Sequence, residues 1–316
     1  MSPAAPRPRL AVLASHPIQY QAPLFRALAA KVELSVWFAH RATPGDQASA
    51  GFGRQFDWDL DLLAGYVNAF LENVSARPGL DHYGGCDTPE IAQRLAGFAP
   101  DALLVMGWHL KSYRQAIRAA GRLGIPVMVR GDSQLATPRS LAKRFIKRLV
   151  FPFFLRRFDA ALYVGRKSRE YWRHYHYPDR RLFFSPHCVD TGFFRDRSRQ
   201  LDKTSARDEL GIPQAAAVVL FAGKLVPFKR PLDLVEAAAR ARDDVSNLCV
   251  AFAGSGELEE SIRDRAQSLK VDCRLLGFRN QSELPAVYRA ADALVLPSEN
   301  ETWGLVANES LACGVP

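Results

Sequence analysis

The stretch AAVVLFAGKLVPFKRPLDLVEAAARA, residues 216–241, decides the fold. It opens with a short apolar run ending at Gly223 and closes with a helical pattern that Pro231 suits as a first-turn residue. Strand, loop and helix in that order make one βα unit. The pattern recurs on both sides. Upstream, LAVLAS (10–15), ELSVWFA (33–39), DALLVMG (101–107), IPVMVRG (125–131), AALYVG (160–165) and RLFFSP (181–186) read as buried strands, with QAPLFRALAA, TPEIAQRLAGFA, KSYRQAIRAAGRLG and KSREYWRHY as helices between them. Downstream, NLCVAFAG (247–254), DCRLLG (272–277) and DALVLP (292–297) continue the series, with helices at 257–270, 281–291 and 304–313. Strands alternating with helices predict parallel sheets. Between the two series, DTGFFRDRSRQLDKTSARDELGIPQ (190–214) is charged, poor in strand signal and reads as a linker. The expectation is an α/β chain of two Rossmann-like domains, 1–198 and 199–316, facing across a cleft.

Composition narrows the function classes. The chain has 316 residues, 48% of them hydrophobic, enough for a large core. No apolar run approaches the roughly 20 residues that a bilayer span needs. The start, MSPAAPRPRL, has no apolar signal-peptide core, so a cytoplasmic location is expected. The five cysteines are widely spaced without CxxC pairing and read as reduced thiols. The histidines show no metal-ligand spacing, so no metal is expected. A net charge of +9 points to anionic partners.

Ligands of open α/β sheets bind beyond the carboxyl ends of the strands, which directs attention to the loops there. After the strand ending at Gly223 come Lys224 and Lys229, two cations ahead of a helix N-terminus. They read either as a diphosphate site or as a solvated edge loop. Gly254-Ser255-Gly256 is not a full dinucleotide fingerprint and reads as a tight turn. Gly277, followed by Phe278 and Arg279, leaves room for a flat base to approach the backbone. After DALVLPS come Glu301, Gly304, Leu305, Val306 and, within the helix, Glu309. That helix is otherwise small and apolar, so a lone carboxylate inside it is costly unless it has a task. In the first half, His16, His109, Arg130 and Asp132 stand at successive strand ends, whereas His187 and Asp190 read as turn-forming. The basic and aromatic stretch PRSLAKRFIKRLVFPFFLRRF (138–158) reads as an interfacial amphipathic segment for an anionic membrane surface, or as a domain helix with a solvated basic face.

The segments FAGKLVPFKRPLDLVEA, FAGSGELEESIRDRAQ and VDCRLLGFRNQSELPAVYRAADALVLPSENETWGLVANESLACGVP, in this order, resemble the donor-binding domain of retaining glycosyltransferases of family 4. These belong to the GT-B superfamily and carry an E-x7-E motif, which falls here on Glu301 and Glu309. The resemblance implies Glu301 on the donor sugar, Glu309 on the ribose hydroxyls, and Lys224 with Lys229 on the diphosphate. Lys224 stands where relatives usually have arginine. It also implies that helix N–H groups near Gly304, Leu305 and Val306 meet the leaving diphosphate, that no metal or other cofactor is used, and that configuration is retained. In the first half the resemblance is weaker. ASHPIQYQAPLFRALA lacks the glycine pair of many members, and VRGDSQ stands where relatives carry a histidine after the strand.

The resulting expectation is a glycosyltransferase moving a sugar from a nucleotide-diphosphate donor to a glycan or lipid-linked hydroxyl, peripheral at the inner membrane face. Nucleic acid is not an expected partner, since no binding motif appears. Relatives continue beyond ACGVP with further βα units, so the second domain is expected to be incomplete. The rivals are a truncated, catalytically silent relative that binds nucleotide or a partner chain, and a sugar-nucleotide epimerase of similar fold.

Overall fold

The computed structural model describes residues 6–48, 55–135 and 140–316. Packing divides it into two units, 1–42 with 62–187 and 43–61 with 188–316.

The first unit runs β1 (Arg9–Ala14), α1 (Ala22–Ala29), β2 (Glu33–Phe38), then, after the four-residue α2 (Pro44–Gln47) of the other unit, β3 (Asn68–Phe70), α3 (Ile91–Phe98), β4 (Ala102–Val105) and α4 (Lys111–Leu123). It continues with β5 (Val127–Gly131), α5 (Leu141–Leu155), β6 (Ala160–Tyr163), α6 (Arg166–His174) and β7 (Leu182–Phe184). The strands form one parallel sheet in the order β3-β2-β1-β4-β5-β6-β7. Helices cover both faces of such a sheet, so the central strands are apolar throughout. From Ala11 to Ala14, β1 is buried at every position.

The second unit holds α7 (Thr191–Gln200), α8 (Lys203–Glu209), β8 (Ala217–Ala222), α9 (Pro231–Ala241), β9 (Leu248–Ala253), α10 (Glu259–Leu269), β10 (Asp272–Gly277), α11 (Leu284–Ala290), β11 (Ala293–Leu294) and α12 (Leu305–Ala312). Its parallel sheet has the order β10-β9-β8-β11. The strand order reverses between β1 and β4 in one sheet and between β8 and β11 in the other. At those points the crossovers diverge to opposite faces and leave a crevice beyond the strand ends.

The α/β, doubly parallel architecture expected from the sequence is present. Its boundaries differ from the expected ones. The stretch read as a linker is helical: Asp190 caps α7 by accepting from Phe193 N–H at 2.9 Å, and Asp202 caps α8 by accepting from Ser205 N–H at 2.9 Å. Arg207 in α8 is buried and donates to Ala290 O, Gln214 O and Asp292 Oδ2, fixing the helix to the second core. The division between units therefore falls at His187–Cys188, before these helices.

The described residues 43–48 and 55–61 also change sides. Phe56 lies 4.5 Å, centroid to centroid, from Phe278, and Asn280 Nδ2 donates to Asp57 O at 2.7 Å. The hydroxyl of Ser282 donates to Asp59. A segment from the β2–β3 connection is thus packed on the loop after β10.

Candidate functional site

At the β8–β11 switch point the loops after the two strands are tied together. Lys229 Nζ forms an ion pair with Glu301 Oε1, which also accepts from Ser298 Oγ at 2.8 Å. Glu299 N–H donates to Phe228 O at 3.0 Å. Arg230, at φ 53°, caps α9 in the left-handed region and pairs with Asp233 at 2.6 Å and Glu299 at 3.6 Å. Of these two ion pairs, the one to Glu299 ties this left-handed residue to the loop after β11. Half-buried beside this lattice, the Lys224 ammonium has its pKa held below the ordinary lysine value by burial first and by the Lys229 charge second. Two ammonium groups within reach of each other's field form a site whose repulsion an anion relieves.

The helix α12 begins beside them. Gly304 is its N-cap at φ 82°, with no side-chain cap, and Ala307 N–H closes back on Gly304 O at 3.0 Å. Leu305 and Val306 occupy first-turn positions whose N–H groups have no partner within a helix. These donors and the positive end of the helix dipole favour an anion.

The loops after β8, β9 and β10 interlock through backbone. Leu225 N–H donates to Ser255 O at 2.9 Å, Leu258 N–H to Leu225 O at 3.0 Å, and Gly254 N–H to Gly277 O at 2.8 Å. A Cβ at Gly256 would lie 2.4 Å from Leu225 O. The glycines read from sequence as a tight turn are thus required by the close passage of neighbouring backbone. Gly223 and Gly277, at φ 146° and 72°, end their strands in conformations that side chains disfavour. Arg279 beyond Gly277 is held by Leu276 O at 3.1 Å and Glu283 at 3.1 Å, while Phe278 carries the Phe56 contact.

Glu309 sits one layer deeper. Its side chain is buried and Oε2 accepts from the Tyr288 hydroxyl at 2.7 Å. Burial pushes its pKa up from 4.5 to about 7, with the Tyr288 hydrogen bond opposing. A carboxyl that keeps its proton in the folded chain to about pH 7, but releases it near 4.5 when unfolded, stabilises the fold in acid. That contribution is complete below about 4.5 and is lost as pH rises through about 7. Glu309→Gln keeps the acceptor for Tyr288 and removes the titration. The urea midpoint of the wild type should therefore fall by the equivalent of roughly 3 kcal/mol across this window, and that of the variant should not. Parallel pH profiles for the two proteins would contradict the assignment.

In the first unit, the ends of β1, β4, β5 and β7 bring together residues read separately from sequence. Ser15 Oγ lies 3.0 Å from His16 Nδ1. Arg130 is buried and donates from Nε to Ser185 Oγ at 3.0 Å and from Nη2 to Pro186 O at 2.8 Å, so it braces β5 against the loop after β7. Asp132 Oδ2 lies 4.0 Å from His187 Nε2, beyond hydrogen-bond distance. His187 holds the Asp132 carboxyl below the usual carboxylate range, against the opposing effect of burial. Tyr20 packs edge-on against the His187 ring at 4.8 Å. His109 packs 5.7 Å from Tyr113; burial pushes its pKa down and Asp132 opposes this.

His187 is the residue that sequence reasoning set aside as turn-forming. Its local string, SPHCVD, reads as a turn, and only the pairing of β6 with β7 carries it to Asp132. Asp190, from the same string, is the cap of α7.

Among the described residues, no group of three or more His, Cys, Asp and Glu side chains is placed to hold a metal, and no helix is long and apolar enough to cross a membrane.

Residues 202–316 match the family model described as Glycosyl transferases group 1. Among curated proteins, a D-inositol 3-phosphate glycosyltransferase of Corynebacterium efficiens is 42% identical over 147 residues, 44% of this chain and 34% of that protein. The chain thus aligns with about a third of the length of that relative. Among solved structures, HepE of Anabaena in complex with UDP superimposes over 98% of this chain and 79% of its own, at a TM-score of 0.68 and 14% identity. The UDP-GlcNAc 2-epimerase of Neisseria meningitidis bound to UDP-GlcNAc covers 97% and 80% at a TM-score of 0.58 and 13% identity. Transferase and epimerase share this architecture, so the fold alone does not separate them. The stretch that builds the Lys224, Lys229 and Glu301 site lies within the residues that match the family model, and the two parallel sheets share the fold of these solved structures.

Proposed function

We propose that this chain belongs to a glycosyltransferase that moves a sugar from a nucleotide-diphosphate sugar to a hydroxyl of a glycan or lipid-linked acceptor, with retention of anomeric configuration. The observation that carries the reading is the convergence of Lys224, Lys229, Glu301 and the N-terminus of α12 at one switch point, within the residues matched by the family model.

In this reading the diphosphate lies against Lys224, Lys229 and the N–H groups of Leu305 and Val306. Those groups stabilise the charge that develops as the sugar–phosphate bond breaks. Lys229 is paired with Glu301. An arriving diphosphate competes for that ammonium and releases the carboxylate to accept from donor-sugar hydroxyls, so donor binding itself prepares Glu301. Glu309, on the buried side of α12, serves the ribose diol. The base rests against Gly277, Phe278 and Arg279, with Gly223 leaving space for the diphosphate. With the leaving phosphate deprotonating the acceptor on the face it vacates, retention needs no protein nucleophile and no metal. His109 and Asp132 are assigned to the acceptor side.

Titration calorimetry of the chain with UDP and with GDP tests the reading. Binding of one nucleotide is expected, and its loss in Glu309→Gln is the expected mark of the ribose contact. A folded chain that binds neither would overturn it. Binding of UDP-GlcNAc with turnover to an epimer, and no transfer, would establish the epimerase instead.

A further inference from the structure

The helix α5 has two unlike faces. Phe151, Phe154 and Leu155 turn inward; Trp108 lies 5.8 Å from Phe151 and 6.5 Å from Phe154. Outward, Phe145, Leu149 and Phe153 recur every fourth residue, with Ile146 and Val150 beside them, each at least 56% exposed. Helical geometry places these five on one stripe. Residues 138 and 139 of the stretch read from sequence lie outside the described residues, as do the side chains of 141–144.

A groove of about 290 Å³ opens between α4 and α5 at the edge of this stripe, lined by Arg114, Arg118, Arg157, Ile117, Val150 and Phe153 among others. It shares Ile117, Arg118 and Arg157 with a neighbouring space of about 390 Å³ that adds Arg122 and the Asp159 carboxylate. Asp159 is engaged in the fold, accepting from Val127 N–H at 2.9 Å. Arg114 is fixed: its Nε donates to Trp108 O at 2.9 Å and its guanidinium lies 3.8 Å from the Phe154 ring centre. Burial holds the Arg114 pKa below its ordinary value, with Tyr83 opposing and the charges of Arg118 and Arg157 adding to the depression. The groove gathers cations whose mutual repulsion a bound anion relieves.

We propose that this groove is a headgroup site for an anionic phospholipid, with the outward stripe of α5 resting in the acyl region of the same membrane surface. Val150 and Phe153 belong to both stripe and groove. A phosphate held by arginines there has hydrocarbon immediately beside it, which is the layout of a phospholipid at a bilayer surface. Guanidinium groups match phosphate oxygens in pairs. A second copy of the chain on the same face would oppose arginines to arginines. A nucleic acid would leave the apolar stripe unused. The inference rests on α5 facing a membrane and is independent of the sugar-transfer reading.

Vesicle sedimentation of the full chain tests it. Binding to vesicles of equimolar phosphatidylcholine and phosphatidylglycerol is expected, with none to phosphatidylcholine alone. Each cation near an anionic surface accounts for roughly fivefold in partition. Arg118→Ala with Arg157→Ala should therefore weaken binding about thirtyfold, whereas Arg118→Lys with Arg157→Lys, which keeps the charge but loses the paired guanidinium contacts, should recover only part of it. Arg166→Ala with Lys167→Ala removes equal charge from α6 and should cost less than about fivefold. Leu149→Asp with Phe153→Asp should abolish binding. If the α6 pair matters as much as the groove pair, the attraction is diffuse and the headgroup site is overturned while the membrane reading stands. Failure to bind either vesicle, with or without dimerisation through the α5 face, overturns both.

Discussion

Replacing Lys224 and Lys229 together by alanine is expected to weaken nucleoside-diphosphate binding at least a hundredfold while leaving the chain folded. Hydrogen bonds to a charged group contribute about 1.5–3 kcal/mol each, and two of them convert to roughly two orders of magnitude or more. The two lysines are not equivalent. Lys224→Ala removes one cation and also the repulsion that Lys229 imposes on it. Lys229→Ala removes a cation and leaves Glu301, its present partner, as an unpaired carboxylate beside the phosphate. The Lys229 single variant should therefore lose more affinity than the Lys224 one. Calorimetry with the nucleotide that binds the wild type measures both. Equal, small losses would place the diphosphate elsewhere. Affinity should also fall as salt rises, since the contacts are ionic.

Gly254→Ala is expected to be among the most damaging single substitutions in the second unit, at about 4 kcal/mol or more. The added Cβ would lie 1.8 Å from the carbonyl oxygen of Gly223, and the residue sits at φ 155°. Neither neighbour can yield cheaply. Gly223 N–H is held by Ala253 O at 2.9 Å and Gly254 N–H by Gly277 O at 2.8 Å, so relief requires moving two strand ends at once. Both are in the loops that would meet the donor, so nucleotide binding should fall with stability. The urea midpoint of the variant against the wild type measures the effect. A change below about 1 kcal/mol would show that these loops shift freely.

The parts of the fold that local pattern controls were legible. Apolar runs such as Leu10–Ala14 and Ala217–Ala222 are strands because a strand buried on both faces needs apolar residues at every position. Pro231 does open a helix. Asp190 and Asp202 are caps within the stretch read as a linker, where charge masked two short helices. The strand β3 escaped notice because three residues, Asn68–Phe70, are too few to show a period.

The candidate site divides in the same way. Lys224, Lys229, Glu301 and Gly304 stand in loops directly after strands, where the position of a residue in the βα repeat predicts its place at the sheet end. The burial of Glu309 was also foreseeable, from the apolar helix around it. By contrast, the approach of His187 to Asp132 depends on β7 pairing beside β6, and the packing of Phe56 on Phe278 joins positions far apart in the chain. The Lys229–Glu301 pair depends on β11 returning beside β8.

The sequence by itself determined the alternation of strand and helix, the parallel sheets, and which loops carry charge, because periodicity and turn chemistry act over a few residues. Tertiary structure alone decided which of those loops meet, that residues 43–48 and 55–61 pack with the second unit, and that arginines of α4 and of the turn after α5 share one groove with an apolar stripe. Strand order and helix packing set those meetings, and both arise from burial between segments that carry no local record of one another.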